Sequence, residues 1–166
     1  MERPSRDQVC MGMAQLASVR STCSRLNVGA CSSLDGRVVL TAYNGTPAGM
    51  PHCDHSCDCE SSDVAGQITG DEIGRHLSDC ASQRPCTAAV HAEANLVAFA
   101  AKHGISLLGT DIFTTDSPCI SCSQLLVNIG IGRMVFAREY RDTSGLVLIR
   151  DAGILVQHMD LIPWSD

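Results

Sequence analysis

Two short segments carry residue types whose spacing could do chemistry. His91-Ala92-Glu93 places an imidazole and a carboxylate with a single residue between them. Pro118-Cys119-Ile120-Ser121-Cys122 places two thiols three positions apart, behind a proline. His91, Cys119 and Cys122 make a three-donor set suited to zinc, with water as the fourth ligand. Three protein donors plus water is the catalytic pattern, whereas four protein donors would make the site structural. Zinc would lower the pKa of that water toward neutrality. Glu93 stays outside the metal shell, because a soft ion prefers thiolate and imidazole to carboxylate. A free carboxylate there is a proton shuttle, and Glu93 is the predicted catalytic acid and base.

These residues need elements to hold them. Ser5 reads as a helix N-cap, followed by Val9, Met13, Leu16 and Val19 near helical spacing. Residues 28–34 and 37–43 read as a hairpin around Asp35-Gly36, a strong two-residue turn signal. A helix is predicted over 94–102, with Gly104 as its C-cap. Strands follow at 110–115, 133–137 and 154–158. Between them are a helix starting at Pro118 as N1 and running to about 129–130, and another over 145–152. Strands alternating with helices after a hairpin indicate a layered α/β domain with a mixed sheet. His91 with Glu93, and Cys119 with Cys122, then fall in the first turns of two helices. The partial positive charge at a helix N-terminus favours thiolate, and cysteines three apart share a face.

A length of 166 residues suits one domain spanning 1–166. Residues from about 50 to 86 turn polar and rich in glycine, cysteine and histidine, and read as an insertion. It carries one short helix near 71–80, where Thr69 and Glu72 resemble a capping box. A loop this long needs something to hold it. A net charge of −6 with no basic stripe argues against long nucleic acid as a partner. One Trp, two Tyr and three Phe offer no stacking platform for single strands. The first residues have no apolar signal core, and no apolar run is long enough to cross a bilayer. Ten cysteines in a chain of this kind, predicted to be cytoplasmic, read as metal-binding.

H-x-E followed by P-C-x-x-C is the signature of zinc-dependent base deaminases. The likeness extends along the chain through Ser21-Thr22-Cys23, Val28-Gly29-Ala30, Tyr43-Asn44-Gly45-Thr46-Pro47-Ala48-Gly49 and Pro51-His52-Cys53. It continues through Val90-His91-Ala92-Glu93-Ala94-Asn95, Thr115-Asp116-Ser117-Pro118-Cys119, Gly130-Ile131, Tyr140 and Ala152-Gly153-Ile154. On these residues the chain resembles the deoxycytidylate (dCMP) deaminases of the cytidine deaminase superfamily, everywhere but about 60–83. The resemblance implies a three-layer α/β/α fold around a mixed five-stranded sheet. It implies hydrolysis of dCMP to dUMP and ammonia in pyrimidine nucleotide metabolism. Glu93 would then pass protons to a ring nitrogen and to the leaving amine. Backbone at Ala92 and near Ser117 would read the base edge. Asn44, Thr46 and Tyr140 would stand beside the sugar and phosphate. Arg25 is the candidate for the phosphate. Two departures stand out: Asn27 where the family often has a basic residue, and Ala42 where it usually has glycine.

The resemblance also implies a second, structural zinc, with Cys23, Cys53, Cys57 and Cys86 as one ligand set. His52, His55 and Cys59 compete for places in it. Cys10, Cys31 and Cys80 read as packing residues. Many relatives of this kind are hexamers regulated by dCTP and dTTP with Mg2+, so a homo-oligomer, effectors and Mg2+ come with the likeness. Other readings stay open: a deaminase of 5-methyl or 5-hydroxymethyl dCMP, a nucleoside or RNA cytosine or adenine deaminase, and a zinc-stabilised interaction protein without catalysis.

Overall fold

The computed structural model describes residues 3–23, 25–50, 52 and 89–163. Along these residues run α1 (Arg6–Ser18), β1 (Gly29–Leu34), β2 (Arg37–Tyr43), α2 (Ala92–His103), β3 (Asp111–Asp116), α3 (Ile120–Asn128), β4 (Arg133–Arg138), α4 (Ser144–Asp151) and β5 (Leu155–His158). The expected helix near 71–80 lies outside them, as does most of the expected insertion.

Local chemistry accounts for the boundaries. Ser5 Oγ accepts from Gln8 N–H, and the Gln8 side chain accepts from Ser5 N–H, closing a capping box at the start of α1. Asp35 and Gly36 both take positive φ, 53° and 71°, the conformation that a two-residue hairpin turn demands. Gly104 ends α2 at φ 66°, as the left-handed C-cap expected from the sequence.

The sheet order is β2-β1-β3-β4-β5, antiparallel across the first three strands and parallel across the last three. Successive strand residues part to opposite faces. Ala30, Ile112, Met134 and Phe136 pack with Leu96 of α2, Leu126 of α3 and Leu146 and Ile149 of α4. Cys31, Phe113, Val135 and Ala137 pack with Cys10, Met11 and Ala14 of α1 and with Met159, Leu161 and Ile162 of the tail. The result is the expected three-layer α/β/α fold. An eight-residue helix such as α4 is marginal alone. Burial of Leu146 and Ile149, each contributing about 1.5–3 kcal/mol, is what seats it.

Register decides where a site can form. Gly29 pairs with Tyr43, Ala30 with Thr114, and Asp116 with Arg138. The start of β1 and the ends of β2, β3 and β4 therefore share one edge of the sheet, where open α/β sheets place their ligands.

Arg133 locks the other end. Its guanidinium donates to both carboxylate oxygens of Asp7 at 2.8 and 2.9 Å, to Asp111 Oδ2 at 2.7 and 3.1 Å, and to Gln157 Oε1 at 2.6 Å. The hydrogen bond from Arg133 holds the Asp7 carboxyl below its ordinary value. Stability from this pair is thus present above the ordinary carboxylate pKa and lost as pH falls through the lowered one. Asp7→Asn should cost about 1 kcal/mol or less at neutral pH, roughly 3 °C in Tm. In thermal melts the gap from wild type should close on acidification. A gap that persists at acid pH would contradict the pairing.

Candidate functional site

Helices α2 and α3 both begin with a residue whose side chain does not cap. His91 is the N-cap of α2 and Cys119 the N-cap of α3, each with extended backbone and no side-chain hydrogen bond to the helix. The side chains instead meet each other. His91 Nδ1 lies 3.4 Å from Cys119 Sγ and 3.5 Å from Cys122 Sγ. A tetrahedral zinc with ordinary Zn–S and Zn–N bonds would hold sulfur and nitrogen about 3.6 Å apart, so this donor set fits the ion. Among the described residues His91, Cys119 and Cys122 form the group able to hold a metal.

One expectation needs correcting here. Pro118 is not at N1 of α3. It precedes the N-cap Cys119, and the helix proper starts at Ile120. An N-cap has non-helical backbone, and that conformation turns the Cys119 thiol out toward His91. Similarly His91 sits just before its helix, with Glu93 at the second helical position.

The electrostatics suit a cation. Hydrogen bonds from Cys122 and His91 push the Cys119 thiol well below its ordinary value. The hydrogen bond with Cys119 and burial drive Cys122 the other way. One thiolate forms readily and the second needs a positive partner, which a dication supplies. Glu93 is 3 % exposed, and burial pushes its carboxyl up to about 7. A carboxyl poised there can both take and give a proton near neutral pH.

Beside the donors opens a cavity of about 390 Å³. His91, Ala92, Glu93, Ser117, Cys119 and Tyr140 line it, together with Asn44, Cys23 and Arg25. Thr46 is absent from its wall; the Thr46 N–H turns to Thr22 Oγ1 at 3.3 Å. Cys53, Cys57 and Cys86 of the expected structural site lie outside the described residues. Cys23 is buried at the cavity wall.

Asn44 does more than end a strand. Its Oδ1 accepts from Val28 N–H at 2.8 Å and Ser21 Oγ at 2.6 Å, and its Nδ2 donates to the Leu26 carbonyl at 2.7 Å. Ser21, Leu26 and Val28 are thereby held against the end of β2, on either side of Cys23 and Arg25. Next to it, Gly45 and Val90 exchange backbone hydrogen bonds at 3.1 and 2.8 Å, and Asn95 Nδ2 donates to the Tyr43 carbonyl at 2.9 Å. Those three bonds anchor the start of α2 and so the position of His91.

Ser117 lines the cavity at the turn into α3. Its N–H is spent on the Arg138 carbonyl at 2.8 Å, so only its carbonyl remains for a base edge. Its Oγ accepts from Tyr140 N–H at 2.8 Å, holding Tyr140 at the wall. Asp116, quoted only within its motif, and Glu139 and Arg141, which the sequence did not mark, line the cavity too. Their positions flank the Ser117-Pro118-Cys119 turn and Tyr140, which is the signal that could have found them. Asp116 Oδ2 accepts from Arg138 Nη2 at 2.7 Å and from Thr115 Oγ1 at 2.9 Å.

The model of the cytidine and deoxycytidylate deaminase zinc-binding region matches residues 4–138. The chain belongs to this deaminase family. It is similar to the deoxycytidylate deaminase of Mycobacterium phage D29, 37% identical over 139 residues, which covers 84% of this chain and 99% of that one. It is also similar to ComE operon protein 2 of Bacillus subtilis (strain 168), 32% identical over 162 residues, covering 97% and 75%. Among solved structures, the dCMP deaminase of cyanophage S-TIM5 in complex with dCMP and dUMP superposes with a TM-score of 0.72 at 27% identity, covering 96% of this chain and all of that one. The family's zinc-binding region spans His91, Cys119 and Cys122 in this deaminase.

Asn44→Ala would leave the Val28 N–H and Leu26 carbonyl without their partner. It should destabilise the fold by about 2 kcal/mol in urea unfolding. A wild-type midpoint would mean these bonds add nothing.

Proposed function

We infer that this protein catalyses the hydrolytic deamination of dCMP to dUMP and ammonia. The observation that carries the inference is a buried carboxyl, Glu93, beside a three-donor His/Cys/Cys set at the wall of a cavity. A structural metal site has no use for a free acid there.

Zinc held by His91, Cys119 and Cys122 supplies Lewis-acid chemistry that makes water a usable nucleophile near neutral pH. Glu93 does the proton work. It takes a proton from the attacking water and gives it to N3 of the cytosine ring, then takes the remaining hydroxyl proton of the tetrahedral adduct and gives it to the leaving amine. A C4–O bond forms, the C4–N4 bond breaks, and ammonia leaves. The Ala92 N–H, at the first helical position, has no intrahelical partner and is free to donate to the base edge. The Ser117 carbonyl is the acceptor on the opposite side. Asn44 and Tyr140 flank the sugar, and Arg25, at the wall, takes the phosphate. Thr46 acts indirectly, through the Thr22 contact.

Several finer readings belong to the same proposal. The domain spans 1–166 with an insertion over about 50–86. A structural zinc on Cys23, Cys53, Cys57 and Cys86 would tie that insertion to the domain. A homo-oligomeric, hexameric enzyme responsive to dCTP and dTTP with Mg2+, working in the cytoplasm, is the form the resemblance supports. Among the described residues no helix is long and apolar enough to cross a membrane.

The test is a substrate panel on the zinc-loaded protein: dCMP, 5-methyl-dCMP, CMP and deoxycytidine, with ammonia release as readout. Deamination of dCMP above CMP and deoxycytidine is expected. Turnover of deoxycytidine with none of dCMP would overturn the nucleotide assignment. Turnover of 5-methyl-dCMP in preference to dCMP would move the substrate to the 5-substituted nucleotide.

A further inference from the structure

Gly145 stands in the first turn of α4, buried, and far in sequence from any metal donor. A Cβ built on it would lie 2.2 Å from the Pro118 carbonyl oxygen, 2.5 Å from Ser123 Oγ and 2.9 Å from the Cys119 carbonyl carbon. All three distances are far inside van der Waals contact, and two of the atoms are backbone. So the backbone of α4 rests directly on the turn that carries Cys119 and on the residue after Cys122. Ser123 Oγ, in the same contact, is buried and has no hydrogen-bond partner among the described residues.

The same helix cannot back away cheaply. Leu146 and Ile149, on its buried face, are seated in the core with Leu126 of α3. The segment that leads into α4 from β4 carries Glu139, Tyr140 and Arg141 along the cavity wall. Gly145 therefore joins the cavity wall to the metal turn at one point of backbone contact.

We propose that Gly145 is a positioning residue for the metal centre: its lack of a side chain lets α4 buttress the Pro118-Cys119 turn and hold both thiols at ligand distance from His91. Ligand distances tolerate only a few tenths of an ångström. A Cβ at 145 requires the turn or α4 to shift by more than that. This rests on the three-donor reading of the site.

The test compares two glycines. Gly145→Ala should lose zinc to a competing chelator about tenfold more readily than wild type, as when groups that orient ligands are altered. After reconstitution with Co2+, its thiolate-to-cobalt absorption should shift or weaken. Gly132→Ala is the control. Its Cβ would lie 2.7 Å from the Gly109 carbonyl oxygen, beside Arg133 at the opposite end of the sheet. That variant should melt lower yet keep wild-type chelator resistance and the wild-type cobalt spectrum. A Gly145→Ala protein matching wild type in both metal readouts would overturn the role of Gly145. A wild-type protein with no thiolate–cobalt band would overturn the site reading itself. Should Gly145→Ala fail to fold, Ile149→Val loosens the seat of α4 without a collision. Its zinc retention should fall below that of Ile112→Val in β3, and equal retention would overturn the proposal.

Discussion

Everything at the working end of this molecule depends on bringing three soft donors to one point from two separate helix starts. His91 and Cys119 are 28 residues apart in sequence and come within 3.4 Å in space. Each occupies a position where Ser or Asp would normally cap its helix, at a cost of about 1 kcal/mol for the missing cap. The helices forgo those caps because the same two side chains serve as donors to a metal, and thiolate charge suits the positive helix start. Without a cation the arrangement is electrostatically incomplete: one thiol gives up its proton easily and the other resists.

Around that point the fold acts as a set of braces. The Gly45–Val90 bridge and the Asn95–Tyr43 bond fix α2 to the end of β2. The run of β3 into Ser117, whose two polar groups hold Arg138 and Tyr140, fixes the turn before α3. From behind, α4 presses on that turn through Gly145. The Arg133 network sits at the opposite end of the sheet and serves stability. The donors and the Arg133 network thereby lie at opposite ends of the strands, while Asn44 serves both the cavity wall and the fold.

The parts legible from sequence were those set by local rules or by strict spacing. Ser5, Asp35-Gly36 and Gly104 announce cap, turn and C-cap because each works within four residues. The donors and Glu93 were legible because zinc chemistry restricts residue type and spacing so tightly. What stayed hidden depends on distant partners. Asn44-Gly45 looks like a turn, yet Asn44 organises a segment about twenty residues upstream. Thr46 belongs to the same motif but faces Thr22, because Gly45 commits the backbone to Val90. The offset of Pro118 by two positions reflects the extended conformation that Cys119 needs to reach His91. Arg133 and Gly145 carry no motif at all; only the sheet register and the packing of α3 on α4 give them meaning.

The decisive measurement is on Glu93→Gln. The amide is isosteric and stays out of the metal shell but cannot shuttle protons. The variant should retain zinc at the His91, Cys119 and Cys122 site as wild type does, bind dCMP, and release no ammonia. Loss of zinc would make Glu93 a ligand, and wild-type turnover would remove it from the chemistry; either result contradicts the division between a metal-holding trio and a separate proton carrier.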